Sequence, residues 1–459
     1  MTSSSTHSTA TSWASDEPPK LELDHDKLKD FATNALGLEC TQVTRLTQGS
    51  YHEIFVLSFS KPEDNTTHVF PSLVRSDFTC IARFTREKSY DGKDASEIAT
   101  IQYLAERTDL PLPEIYAINL TPDNDIGAPI TLMERLPGKQ LSSIWQSLSL
   151  DHKKAAVSQI SRMLVKLVSV KFDKIGSLTP EGVIGPLISA CTSEGGGPFD
   201  SNLDYMHHFV NPESTSFPGL ADTYRSAREA LDRFMDGHGH TMFEGSFVMR
   251  HADFDGQNIM FTLPEDGSPP KLTGLIDFEY SHSSPLYWAY EYPMFIQDDD
   301  FYPEEYEDNA ILRAHFVSEV FRHLPNSDTR AVFIDCMNAK SYTLNRFRDL
   351  FMGVGFTEGI QVEGGKTYVK LAATGSGDAY DGREGYEPEY YGHDGRPVKH
   401  IEGPLVGWIS RRAPAQVTIM LRWCQDAVSS LSQRVTRSLA ASCPRRLRVF
   451  ILGDEEAAK

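Results

Sequence analysis

No run of apolar residues in this chain of 459 residues approaches the roughly 18 that a membrane-spanning helix needs, so no membrane association is expected. Cysteine is scarce: the six are Cys40, Cys80, Cys191, Cys336, Cys424 and Cys443, with no C-x-x-C and no regular spacing. That scatter implies neither a zinc site nor a disulfide framework and fits a reducing compartment. Positive charge is in deficit, with 44 Lys and Arg against 64 Asp and Glu and a formal net charge of −20. A field of that sign repels a phosphate backbone, so no nucleic acid partner is expected, whereas a cationic or neutral small molecule suits it. Arginine is absent from the first twenty residues, which reach their first Lys at Lys20 and show no apolar stretch. They resemble neither a signal peptide nor a mitochondrial presequence, so residues 1–20 are expected to be a disordered tail and the protein cytoplasmic. No internal repeat is visible, and the oligomeric state is left open.

What is present is enough apolar material, 40% of residues, to fill the cores of two lobes. Residues 21–36 carry apolar positions at helical spacing and Gly37 stops them. Three strands are then expected at 40–46, 51–60 and 78–84, a helix at 95–108, and two more strands at 112–120 and 129–136. Pro137-Gly138 breaks the pattern, and beyond Leu141 the character becomes mostly helical. The expected division is a β-rich lobe at 21–136 and a helical lobe at 137–459, with an irregular, Gly-rich insertion at 358–404. Helical patterns recur at 151–170, 219–235, 304–323, 329–352 and 414–437.

The chemistry concentrates in FVMRHADFDGQNIMF, residues 247–261, where a polar segment is held between two apolar runs that read as short strands. His251, Asp253 and Asn258 make H-x-D-x-x-x-x-N, and Asp277 follows in LIDFE after the next hairpin. An Asp at a strand end can accept a hydroxyl proton. The Asn carbonyl and a second carboxylate can together hold Mg²⁺, a hard cation that prefers oxygen ligands. This is an inventory for phosphoryl transfer, which asks for a base, metal clamps and aligned phosphates rather than covalent help.

On these motifs the chain resembles the aminoglycoside phosphotransferase and choline kinase group of protein-kinase-like enzymes, in particular its fungal members, over residues 38–292. The resemblance implies an α+β, bilobal protein-kinase-like fold, with a small β-rich N-terminal lobe carrying one main helix and a larger, mostly helical C-terminal lobe. It implies an enzyme using ATP and Mg²⁺ to phosphorylate a hydroxyl of a small molecule. HADFDGQN becomes the catalytic loop, with Asp253 as base and Asn258 as metal ligand, and His251 braces the loop. IDFE replaces the D-F-G of protein kinases, with Asp277 on Mg²⁺ and Glu279 close to the metal site. FTCIARF places Arg83 where such kinases carry a Lys for the α- and β-phosphates, and Glu97 is its expected partner. Phosphate cover comes from backbone N–H groups near Gly49, Ser50 and Tyr51, and TLMERL places Met133, Glu134 and Leu136 against adenine.

Departures keep other readings open. Arg83 is a planar fork rather than a point charge, and Gly49 is the lone glycine of its loop, features that favour a pseudokinase, a nucleotide-binding module without turnover. The complete set Asp253, Asn258 and Asp277 opposes it. A protein kinase is disfavoured because no A-P-E follows Asp277 and Asp255 stands where Ser/Thr kinases carry a Lys. A zinc cluster of His251, Asp253, Asp255 and His282 lacks the spacing of known sites. The family's Asp-Leu-Ala after the metal Asp is PLYWAYEYP here, so Trp288 or Glu291 is expected to steady the catalytic loop. The acceptor itself is not legible.

Overall fold

The computed structural model describes residues 20–48, 51–60, 78–86, 92–121, 123–188, 196–211, 220–237, 246–297, 303–337, 339–352, 365–366 and 369. Residues 1–19, Gly49, Ser50, the helix expected at 414–437 and all but three residues of the insertion expected at 358–404 lie outside these. The chain opens with α1 (His25–Leu36), β1 (Cys40–Gln48), β2 (His52–Phe59), β3 (Thr79–Thr85), α2 (Lys93–Arg107), β4 (Ile115–Asn119) and β5 (Ile130–Glu134). It continues with β6 (Lys139–Gln140), α3 (Leu141–Ile144), α4 (Leu150–Leu167), β7 (Lys171–Phe172), α5 (Asn202–Phe209) and α6 (Ala221–Gly237). Then come β8 (Phe247–Arg250), β9 (Ile259–Thr262), β10 (Lys271–Leu275), β11 (His282–Ser284), α7 (Leu286–Ala289), α8 (Tyr306–His323), α9 (Ser327–Cys336) and α10 (Ala339–Phe347). These elements divide into two compact units, Met1–Asp91 with Glu114–Arg135, and Gly92–Pro113 with Leu136–Lys459. The architecture is α+β, with a β-rich first unit and a mostly helical second.

In unit 1 the strands form one antiparallel sheet in the order β1-β2-β3-β5-β4. Strand periodicity decides its two faces. Cys80, Ala82 and Phe84 of β3 are buried and pack with Leu57, Ile130 and Leu132 under Leu28 and Ala32 of α1, whereas Arg83 points to the opposite face. The apolar spacing predicts that α1 starts at residue 21, but it starts at His25. Asp24 caps it by accepting from the N–H groups of Asp26 and Lys27 at 3.1 and 3.0 Å, and Gly37 closes it in the left-handed region at φ 68°.

The segment before α1 is extended because it has other partners. Leu21 N–H donates to Glu53 Oε2 at 3.0 Å, and Asp24 N–H donates to Ile126 O at 3.0 Å. Glu53, its side chain 1% exposed, also pairs with Arg45 Nε at 2.8 Å and Arg86 Nη1 at 3.2 Å. A carboxylate this deep is tolerable because it is paired and hydrogen-bonded.

Unit 2 contains two three-stranded sheets, β10-β9-β6 and β11-β8-β7. In each, one strand adjoining the 251–258 loop is central: β8 ends at Arg250 and β9 begins at Ile259. The loop is thus gripped at both ends by strands that are hydrogen-bonded on both edges. The turn at Pro137-Gly138 brings backbone against backbone, since a Cβ on Gly138, at φ 103°, would lie 2.2 Å from Phe261 O. Behind the sheets, α4 packs on α8, and Ile160, Leu164 and Leu167 of the first and Leu312, Phe316 and Val320 of the second are buried. The helix expected over 329–352 is divided into α9 and α10, and α9 begins at an Asn326–Thr329 capping box. Among the described residues no helix is long and apolar enough to cross a membrane.

Replacing Glu53 by Ala removes the acceptor shared by Arg45, Arg86 and Leu21. We expect a loss of about 3 kcal/mol of stability, typical of breaking one side of a buried ion pair, visible as a lowered unfolding midpoint.

Candidate active site

The polar loop begins at His251, whose ring is 2% exposed and packs edge-on to Phe278 at 4.7 Å. Both ring nitrogens are engaged: Asp253 N–H donates to Nδ1 at 3.2 Å, and Nε2 lies 3.0 Å from Ile276 O. A backbone N–H can only donate and a carbonyl can only accept, so the proton resides on Nε2 and the ring is neutral. Burial holds its pKa down, to about 4.

From this brace the loop folds on itself. Asp255 N–H donates to Asp253 O, and Asn258 N–H to Asp255 O, each at 2.9 Å. The Asn258 amide nitrogen donates to Asp253 O and to Asp253 Oδ2, both at 2.9 Å, and Gln257 Nε2 also donates to Oδ2. The base candidate therefore has one carboxylate oxygen oriented by two amides. Ser142 N–H, at the start of α3, donates to Gly256 O at 2.9 Å and pins the outer bend.

The segment after β10 is laced to the same loop. Ile276 N–H donates to Asn258 O at 3.0 Å, and Ala252 N–H approaches Ser281 Oγ at 3.4 Å. Asp277 therefore follows directly on a residue bonded to Asn258. Two residues of this turn adopt left-handed backbone, Asp277 at φ 68° and Tyr280 at φ 58°. Such a conformation is uncommon without glycine, and turns that keep it are held by their surroundings. The donor chemistry fits a hard divalent cation: with its nitrogen committed to Asp253, Asn258 offers its carbonyl oxygen, and Asp277 offers a carboxylate.

The other sequence-identified residues are distributed as follows. Glu279 lies in unit 2, its Oε2 2.8 Å from Lys93 Nζ. Arg83 lies on β3 of unit 1, with Nη2 3.0 Å from His52 Nδ1, and Glu97 is buried on α2 of unit 2. Tyr51 precedes β2, and its carbonyl accepts from Arg86 N–H at 2.8 Å. Met133 and Glu134 end β5, where Glu134 N–H donates to Glu114 O at 2.8 Å, and Leu136 lies against Gly274 in unit 2. Trp288 is buried against Tyr205, with ring centres 5.2 Å apart, and Glu291 pairs with Arg348 at 2.8 Å. His282 has both ring nitrogens occupied, Nδ1 2.9 Å from Tyr280 O and Nε2 3.2 Å from Tyr205 OH. With His251 equally committed, the zinc reading loses both imidazole ligands. Sequence reasoning missed Lys93 and Gln257; Lys93 lies outside the motif and Gln257 fills one of its unspecified positions, so only the fold reveals what they touch.

Residues 74–288, just under half of the chain, match the phosphotransferase enzyme family. A subtelomeric hrmA-associated cluster protein of Aspergillus fumigatus is 32% identical over 139 residues, 30% of this chain and 25% of that protein. The protein named "Altered inheritance of mitochondria protein 9, mitochondrial" of Meyerozyma guilliermondii is 26% identical over 158 residues, 34% of this chain and 24% of that protein. The chain thus spans about a quarter of the length of these curated relatives. Among solved structures, an aminoglycoside phosphotransferase APH(4)-Ia mutant in ternary complex with AMP-PNP and hygromycin B is 13% identical, with a TM-score of 0.42, covering 76% of this chain and 99% of that one.

Burial also pushes the His282 pKa down, to about 4, like that of His251. Unfolding lets both rings return to their ordinary value near 6.5, so the unfolded chain binds more protons between these limits. Their contribution is complete above about pH 6.5 and is lost as the pH falls towards 4. We expect stability to fall over that window by on the order of 3 kcal/mol per ring, read as a steadily falling melting temperature. A melting temperature that stays flat down to pH 4.5 would contradict two buried neutral imidazoles.

Proposed function

From the match of residues 74–288 to the phosphotransferase enzyme family, we propose that the chain transfers the γ-phosphoryl group of ATP to a hydroxyl of a small molecule. The observation that carries the reading is the Asp253 carboxylate, with Oδ2 held by Asn258 and Gln257 while the loop is braced from behind by His251. A base restrained through one oxygen presents the other in a fixed direction, which is what in-line transfer asks of it.

In the proposed reaction the acceptor hydroxyl gives its proton to Asp253 as its oxygen bonds to the γ-phosphorus. The bond from that phosphorus to the β-phosphate oxygen breaks, and ADP leaves. Asn258 and Asp277 would hold Mg²⁺, which when bound neutralises charge on the phosphate oxygens. Arg83 is assigned to the phosphates, together with backbone groups near Tyr51. Met133, Glu134 and Leu136 are assigned to the adenine, with Glu134 using its carbonyl, because its N–H is committed to Glu114. The net charge of −20 suits a hydroxylated acceptor carrying an amine. A cytoplasmic location belongs to the same proposal; cell fractionation decides between it and the mitochondrion in the name of the Meyerozyma relative.

One observation favours a second reading, a nucleotide-binding module without turnover: Arg83 already has a side-chain partner in His52 at 3.0 Å. A panel of metabolites and aminoglycosides incubated with ATP, scored by mass for phosphate addition, separates the two.

With an acceptor in hand, Asp253→Asn should lower turnover on the order of 10²-fold or more while ATP affinity stays near wild type. Retention of the wild-type rate would remove Asp253 from the role of base. Arg83→Ala should raise the ATP requirement without unfolding the protein, and Arg83→Lys should recover part of the loss if charge matters more than the planar fork. Equal ATP requirements in all three proteins would place the phosphate cation elsewhere.

A further inference from the structure

Lys93 is a cation in two unfavourable places at once. It is the first residue of α2, where the exposed N–H groups and the helix dipole present positive charge, and its side chain is only 2% exposed. Position and burial both oppose an ammonium group there. Its compensation comes from Glu279 Oε2 at 2.8 Å and Asp94 Oδ1 at 3.1 Å, with the Tyr280 ring centre 5.9 Å away. Two of these three partners belong to the turn that carries Asp277, 186 positions away in the case of Glu279.

That turn needs an anchor. Asp277 and Tyr280 are both left-handed, so the backbone on either side of Phe278 and Glu279 stands in a sparsely populated conformation. Phe278 is fixed by burial against His251, and Glu279 by Lys93. We propose that Lys93 is a positioning residue for the metal-binding turn: its ion pair with Glu279 holds the turn in the shape that presents Asp277 and fastens that shape to the first turn of α2. The proposal rests on the phosphotransferase reading, and it gives the two carboxylates of I-D-F-E separate tasks. Asp277 faces the cation, and Glu279 serves the lysine.

The test is the gain in AMP-PNP affinity on adding Mg²⁺, measured by calorimetry for wild type, Lys93→Met, Lys93→Arg and Asp277→Ala, with a melting curve of each protein free of metal and nucleotide. Lys93→Met should reduce the Mg²⁺-dependent gain roughly 10 to 100-fold, the range found when a partner of a metal ligand is removed, and leave metal-free AMP-PNP binding near wild type. Lys93→Arg should recover part of it. If Lys93→Met does not fold, the double variant Lys93→Met with Glu279→Gln, which removes both members of the pair and leaves Asp94 in the first turn of α2, where the helix dipole favours a carboxylate, carries the same comparison. A lowered melting temperature with an unchanged Mg²⁺ gain, in a protein whose Asp277→Ala variant loses that gain, overturns the positioning role and leaves the phosphotransferase reading intact. An unchanged gain in Asp277→Ala overturns the metal assignment itself, and the positioning role with it.

Discussion

His251 can accept the Asp253 N–H only on an unprotonated Nδ1, and it can reach the Ile276 carbonyl only by donating from Nε2. That requirement links burial, tautomer and loop shape. Burial keeps the ring neutral, the neutral ring orders the residues after it, and the bond to Ile276 ties the loop to the turn that carries Asp277. Loss of the neutral form would leave Asp253 N–H facing another donor. The imidazole thus orders the backbone that carries the Asp253 carboxylate.

Around this brace the fold supplies rigidity from both sides. β8 and β9 are each the centre of a small sheet, so neither end of the loop belongs to a free edge. The close approach of Gly138 to Phe261 and the bond from Ser142 to Gly256 add two tethers from the segment that follows β5. A loop carrying two Asp, a Gln and an Asn within six residues would otherwise have many ways to hydrogen-bond locally. Here the anchors leave one arrangement, in which the amide nitrogens of Gln257 and Asn258 meet Asp253.

Unit 1 follows simpler rules. The alternation of Cys80, Ala82 and Phe84 with Ile81 and Arg83 decides which face of β3 enters the core. The arginine is therefore displayed by strand geometry, whatever it binds. Glu53 is the exception, a carboxylate buried on β2 whose burial is compensated by two arginines and by the N–H of Leu21. Those contacts explain why the chain is extended before α1, against the helical periodicity of its first residues.

Much of this was legible in the sequence. The order of three strands, a helix and two strands could be read because each element is long enough to show its period. The apolar runs around residues 251–258 marked a loop held by strands, and the spacing of His251, Asp253 and Asn258 singled out the residues of the candidate site. The two-residue strands β6 and β7 were not legible, because two residues have no period. Nor was the ion pair of Lys93 with Glu279, which joins distant parts of the chain and has no local signature. The sequence by itself determined the elements and the chemical groups offered at the site, since periodicity and residue type are local properties. Only the tertiary structure decided which groups face one another, whether His251 is charged and what compensates a buried lysine, because desolvation and pairing depend on neighbours that the chain brings back from far away.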